Sequence, residues 1–134
     1  MDILINLDIP DLEAAVRFYE QGLGLTLKRR LFENTVAELG GASCAVYLLQ
    51  KHAGVDAIPQ GGAARDYARH WTPVHLDFVV EKLEPAMERA IAAGAKLETG
   101  PTDFAWGRQA TFSDPFGHGI CLVQWLGRGY GEVE

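Results

Sequence analysis

The chain is short of several things, and each shortage excludes a class of function. It has only two cysteines in 134 residues, Cys44 and Cys121, too few for a disulfide framework, so a reduced, cytoplasmic setting is the expectation. It is short of positive charge. Twelve Lys and Arg stand against 18 Asp and Glu, for a net charge of −6 and a pI near 5.2. A nucleic-acid-binding face would need a basic surplus. No apolar run approaches the roughly 20 residues that cross a bilayer, and Met1-Asp2-Ile3-Leu4 has no basic stretch of the kind that opens a secretory signal. There is no glycine-rich phosphate loop, no nucleophile elbow and no Cys-x-x-Cys. What remains has the composition of an ordinary globular domain, 48% hydrophobic and 22% charged.

The periodicity reads as α+β. Ile3 to Ile9 alternates, with Ile3, Ile5, Leu7 and Ile9 on one face and Leu4, Asn6 and Asp8 on the other, which predicts a strand. Asp11 is a candidate N-cap. Leu12, Ala15, Val16, Tyr19 and Leu23 mark a helical stripe that Gly22 or Gly24 ends. Leu25 to Leu31 reads as a strand, and Thr35 to Leu39 and Ala45 to Leu49 as a hairpin turning near Gly40-Gly41. The series then recurs. Val74 to Val80 reads as a strand, Leu83 to Ile91 as a helix stopping at Gly94, and Ala95 to Thr99 as a short strand. Gln109 to Ser113 and Gly119 to Trp125 are two more, joined by the turn residues Asp114-Pro115-Phe116-Gly117.

The two series superpose. Leu4 to Leu12 lies over His75 to Leu83, and Val46 to Gln50 over Ile120 to Gln124, with element order, glycine stops and strand parity in agreement. One domain built from two βαβββ repeats follows, with repeat one at about 1–50, a linker at about 51–71, repeat two at about 72–126 and a short tail at 127–134. The linker is rich in Gly, Ala and Pro, has no clear period, and suggests one helical turn around Ala63 to His70. It reads either as a plain connector or as a lid or arm reaching another subunit.

Three local features resemble one family. Arg17-Phe18-Tyr19 with Leu23-Gly24-Leu25 is similar to its first-helix exit. Ala92-Ala93-Gly94-Ala95 is similar to its second. Trp106-Gly107 followed by Asp114-Pro115-Phe116-Gly117 is similar to its last hairpin. The family is the vicinal-oxygen-chelate superfamily of glyoxalases, bleomycin-resistance proteins and extradiol dioxygenases. The resemblance implies a half-open, eight-stranded barrel with a small-molecule ligand on its concave face, and a homodimer whose pocket lies within one chain or across two.

In metal-dependent members of that family the first and last strands of each repeat supply one ligand apiece, two His or Gln and two Glu. The resemblance puts Leu4, Tyr47, His75 and Cys121 at those positions. Leucine cannot coordinate an ion and tyrosine is an uncommon ligand, so a divalent metal is possible but disfavoured and no cofactor is expected. Asp77 or Asp8, two places along the strands, would be the residue to rescue such a site. Parity aims His75, Asp77 and Val79 away from the apolar Leu76-Phe78-Val80 face, and likewise Asn6, Tyr47, Leu49, Cys121, Val123 and Trp125. His75 is either a satisfied buried histidine or a hydrogen-bonding partner of the ligand. Cys121 is either a small wall residue or a thiolate activated by His75. His118 reads as exposed hairpin surface.

Tyr47, Phe104, Trp106, Trp125 and Trp71 suggest an aromatic lining suited to flat ligands, or else core and interface packing. Trp106 is expected in a loop between Pro101 and Arg108, and Arg108 is either a partner for a ligand's carboxylate or phosphate, or a solvated surface group. Antibiotic-sequestering members of the family are similar in their Trp-Gly and need no metal. The expected function is therefore a metal-independent binder of an aromatic or drug-like molecule. The alternatives are a glyoxalase-like lyase or isomerase, or a dioxygenase-type enzyme using a divalent ion, and a dimer whose pocket is vestigial.

Overall fold

Pairing with the rest of its sheet, rather than alternation alone, sets where the first strand begins. In the computed structural model, which describes all of residues 1–134, β1 runs Ile5–Ile9. Ile5 N donates to Ala45 O and Ile5 lies opposite Val46, the first residue of its neighbour strand. Ile3 and Leu4 have no partner strand, fall outside β1 and are exposed, which corrects the earlier start at Ile3. Helix α1 (Leu12–Leu23) starts at Asp11, whose carboxylate accepts from Ala14 N at 3.0 Å, and ends at Gly24, left-handed at φ 73°. Strands β2 (Thr26–Leu31), β3 (Val36–Gly40) and β4 (Val46–Gln50) complete a four-stranded sheet in the order β1-β4-β3-β2, parallel only between β1 and β4.

The segment read as a linker carries a small antiparallel hairpin, β5 (Asp56–Ile58) and β6 (Gly61–Ala64), in place of the expected helical turn. Gly61 and Gly62 both have positive φ, at 110° and 106°. Glycine adopts that conformation freely, and it breaks a helix and turns a hairpin. The arm is tied down. Arg65 Nε donates to Asp8 Oδ2 at 2.6 Å, and the Tyr67 hydroxyl donates to Lys51 O at 2.5 Å.

The second series gives β7 (Leu76–Val79), α2 (Leu83–Ala92), β8 (Lys96–Phe104), β9 (Gly107–Ser113) and β10 (Gly119–Trp125), in the order β7-β10-β9-β8. β8 is nine residues long, well beyond the expected stop at Thr99. Its register shifts, one between Leu97 and Thr99 and one between Thr99 and Thr102 across Gly100-Pro101, let the strand absorb two residues that would otherwise end it. The strand total is thus ten, eight in the two larger sheets and two in the hairpin. The tail holds a 3-10 helix, Gly129–Glu132. The chain divides into two compact units, Met1–Ala68 and Arg69–Glu134. No helix is long and apolar enough to cross a membrane.

Within each unit the helix covers one sheet face. In the first, Leu12, Ala15, Val16, Phe18 and Tyr19 are buried with Ala37, Leu39, Val46 and Leu48. In the second, Leu83, Met87 and Ala90 are buried with Ala110, Phe112, Ile120 and Leu122. Burial of the Val, Leu, Ile, Phe and Met side chains among these contributes roughly 1.5–3 kcal/mol each. The units repeat in detail. Asn6 faces Tyr47 as Asp77 faces Cys121, and both helices begin on a glutamine from the parallel partner's last turn of strand. Leu12 N donates to Gln50 Oε1 at 3.2 Å, and Leu83 N donates to Gln124 Oε1 at 2.7 Å.

The two glutamines should not count equally. α1 also has its Asp11 cap, whereas Lys82 before α2 makes no side-chain cap bond. We expect Gln124→Ala to lower unfolding free energy by about 1–2 kcal/mol and Gln50→Ala by about half as much. Urea titration of both variants checks the order, and equal losses would remove the distinction.

Candidate ligand and ion face of the second unit

In each unit the sheet face away from the helix carries the polar side chains. In the first unit one cross-strand row runs Asn6, Tyr47, Glu38 and Arg29. Arg29 Nε donates to Glu38, and the charge and hydrogen bond of Glu38, then of Tyr47, hold the guanidinium above its usual range. Beside this row lie Leu49, half-buried, and its neighbour Asp8, paired with Arg65. Burial is the main cause that pushes the Tyr67 phenol up. Leu4 lines a different, open surface hollow of the first unit with Ile3, Ser43 and Cys44.

The corresponding row of the second unit is Asp77, Cys121, Thr111 and Thr99. Cys121 is fully buried. Gln109 Nε2 donates toward its Sγ at 2.9 Å, and the Thr111 hydroxyl lies 3.7 Å away. Burial pushes the thiol up, partly offset by these two partners and reinforced by Asp77. His75 precedes β7, with Nε2 3.4 Å from Asp77 Oδ1 and its ring stacked on Trp71 at 4.0 Å. One donor atom from each of His75, Asp77 and Cys121 lies within 4.8 Å of the others. Further along the same face, Thr99, Thr102, Phe104, Gln109 and Thr111 line a hollow of about 160 Å³. Val123, also on this face by parity, is buried.

The aromatic residues gather elsewhere. Trp106 sits in the tight turn between β8 and β9 and not in a long loop, because β8 runs to Phe104. It stacks on Phe104 at 4.9 Å and packs against Trp125 and Tyr130, whose 3-10 helix folds back onto the rings. Arg108 is committed to the protein's own carboxylates, Asp103 at 2.7 Å and Glu84 at 2.5 Å, and holds the Glu84 carboxyl below its usual range. His118 is not exposed hairpin surface. Its side chain is 14% exposed, with Nδ1 2.7 Å from the buried Asp114 carboxylate and its ring against that of His70.

Residues 4–123 match the model of the glyoxalase-like domain. The chain belongs to that family. Among solved structures, this glyoxalase-like chain is similar to a glyoxalase-related enzyme from Fulvimarina pelagi, with TM-score 0.72, 23% identity, and coverage of 92% of this chain and 87% of that one. It is also similar to TnmS3, an antibiotic binding protein from Streptomyces sp. CB03234, with TM-score 0.68, 24% identity, and coverage of 94% and 96%. A third is a glyoxalase/bleomycin resistance protein/dioxygenase from Nocardioides, with TM-score 0.62, 26% identity, and coverage of 94% and 83%. No match is found among curated proteins. These likenesses establish the glyoxalase/bleomycin-resistance fold, α+β with two βαβββ units.

The four-strand ligand set implied by that superfamily does not fit the glyoxalase-like chain. Leu4 offers no donor atom and stands outside β1, and Tyr47 lies beside the Arg29–Glu38 pair. Sequence reasoning missed Thr99, Thr102, Gln109 and Thr111. The last two carried a signal, since Gln109, Thr111 and Ser113 alternate with the apolar Ala110 and Phe112. The two thiols should differ in reactivity. In the folded protein a bulky thiol reagent should modify half-buried Cys44 and spare Cys121, which should react only once urea unfolds the chain. Labelling of Cys121 in the native state, read by peptide mass, would contradict the burial.

Proposed function

We propose that this glyoxalase-like chain binds a small organic molecule, aromatic or drug-like, and needs no metal ion to do so. The hollow of about 160 Å³ lined by Thr99, Thr102, Phe104, Gln109 and Thr111 carries the reading. It combines one ring face with four side chains that donate or accept hydrogen bonds, the mixture that orients an organic ligand. Ligand sites commonly reach about 300–1,000 Å³, so this hollow takes one ring or polar arm of a larger ligand. The likeness to an antibiotic binding protein supports the same reading. An enzyme with the four-strand ion set is the weaker alternative, because Leu4 supplies no ligand. The homodimer implied by the family resemblance belongs to this proposal and is tested by light scattering.

Trp106 stacks on Phe104, so ligand entering the hollow should change tryptophan fluorescence. Titration with a panel of aromatic antibiotics should give saturable quenching that EDTA leaves unchanged. Gln109→Ala should weaken it about tenfold, the loss of roughly one buried hydrogen bond. Quenching abolished by EDTA, or unaltered in Gln109→Ala, would remove the support for a metal-free site at this hollow.

A further inference from the structure

The tail after β10 is wound tightly, and three glycines make that possible. They fall at every second position of Gly127-Arg128-Gly129-Tyr130-Gly131. A Cβ on Gly127 would stand 2.6 Å from Glu132 Oε1, one on Gly129 3.2 Å from the Trp125 indole, and one on Gly131 3.3 Å from Arg128 Cβ. With no side chains at these places the tail folds back at the end of β10 and leaves a hollow of about 420 Å³ among Trp125, Gly127, Arg128, Gly129, Tyr130 and Gly131. Sites for small organic molecules commonly measure about 300–1,000 Å³. Two rings meet here as a corner. Trp125 and Tyr130 stand 4.7 Å apart at 71°, and they remain 39% and 55% exposed. A flat guest in such a corner stacks on one ring and meets the edge of the other, the two arrangements that aromatic pairs favour. Trp106 packs against both rings, so the corner is in place before a guest arrives.

The hollow has a single cation among its lining residues, and that cation is open to a guest. Arg128 Nε lies 3.4 Å from Glu132 Oε1, longer than a strong charge-assisted hydrogen bond, and the arginine side chain is 73% exposed. The same Glu132 oxygen accepts from Arg128 N at 2.9 Å, so the backbone already takes up part of the carboxylate. Arg108, by contrast, is held by two carboxylates at 2.5 and 2.7 Å. The fork of terminal nitrogens on a guanidinium matches a carboxylate in shape and charge. We propose that this hollow binds an aromatic carboxylate, with its ring in the Trp125–Tyr130 corner and its carboxylate on Arg128. The pairing of a ring surface with one positive group sets the class. A neutral guest leaves the guanidinium unused, and a cationic guest is repelled by it. The inference goes beyond the organic-ligand reading and does not rest on it, since the two hollows share no lining residue.

The test is equilibrium dialysis of the 134-residue chain against naphthoate, naphthamide and naphthylmethylamine, which share one ring system and differ in charge. Naphthoate should bind saturably at one equivalent, and the amide and the amine at least about fivefold more weakly, the loss of one charge-assisted contact. Arg128→Gln should erase the preference for naphthoate and leave naphthamide binding as it was. Tyr130→Leu should weaken all three. Gln109→Ala should change none of them, which separates this hollow from the one on the sheet. Arg128 and Tyr130 are both exposed, so neither variant puts the fold at risk. A naphthoate preference that survives Arg128→Gln, equal binding of naphthoate and naphthamide by the unaltered chain, binding indifferent to Tyr130→Leu, binding lost in Gln109→Ala, or no saturable binding at all would overturn the proposal.

Discussion

Replacing Asp114 with alanine should cost about 3 kcal/mol or more of unfolding free energy, one of the two largest losses expected from any single polar or backbone change in this chain. The Asp114 side chain is fully buried and anchors the turn between β9 and β10. Its Oδ1 accepts from Phe116 N at 2.9 Å and His118 N at 2.8 Å, and Oδ2 lies 2.7 Å from His118 Nδ1. Alanine removes the acceptor from all of these groups, two of them backbone amides. Asparagine is the control. It keeps an acceptor for both amides and can donate to His118 Nδ1 in the tautomer protonated at Nε2. Asp114→Asn should therefore cost about 1 kcal/mol. Urea denaturation of the pair decides the matter. Equal losses would mean that the charge, rather than the acceptor geometry, carries the turn.

Gly100→Ala should be comparably damaging, at about 3 kcal/mol, and should also disturb ligand binding. Two independent penalties combine. Gly100 has φ 97°, which side chains rarely adopt, and a Cβ there would stand 2.6 Å from Gln109 O and 3.0 Å from Ala110 Cα. Those contacts are backbone, so the neighbour cannot swing aside, and forced overpacking adds about 1–3 kcal/mol. The glycine sits between Thr99 and Thr102 on β8, facing Gln109 on β9, all three lining the proposed hollow. Thermal denaturation and the antibiotic titration should both report the change. A variant with wild-type stability would show that β8 shifts at little cost.

Much of this fold was readable from parity and repetition. The superposition of Leu12 on Leu83 and of Gln50 on Gln124 marked residues that then perform the same hydrogen bond twice. Parity alone puts Asp77 on the face of His75 and Cys121, and the donor atoms of the three lie within 4.8 Å of one another. What stayed hidden had physical reasons. Gly100-Pro101 reads as a strand end because neither residue favours a regular ladder, yet register shifts carry β8 through it. The β5–β6 hairpin is small and its Gly-Gly-Ala-Ala strand has no alternation to detect. His118 looked exposed because its pairing with Asp114 is a matter of turn geometry, and no hydrophobic period records that. Arg108 has two carboxylates for partners, at 5 and 24 positions' remove, which local pattern cannot distinguish from solvent.

The glutamine at or next to the end of each repeat's last strand has a consequence for how the chain opens. Gln50 and Leu12 are 38 residues apart, and Gln124 and Leu83 are 41 apart, yet each pair shares one bond. A helix terminus normally exchanges its amide hydrogens early, by fraying. Here the first amide of each helix is latched to a strand from the centre of the sheet. In deuterium exchange, Leu12 and Leu83 should therefore open with Leu48 and Leu122, as members of the slowest set.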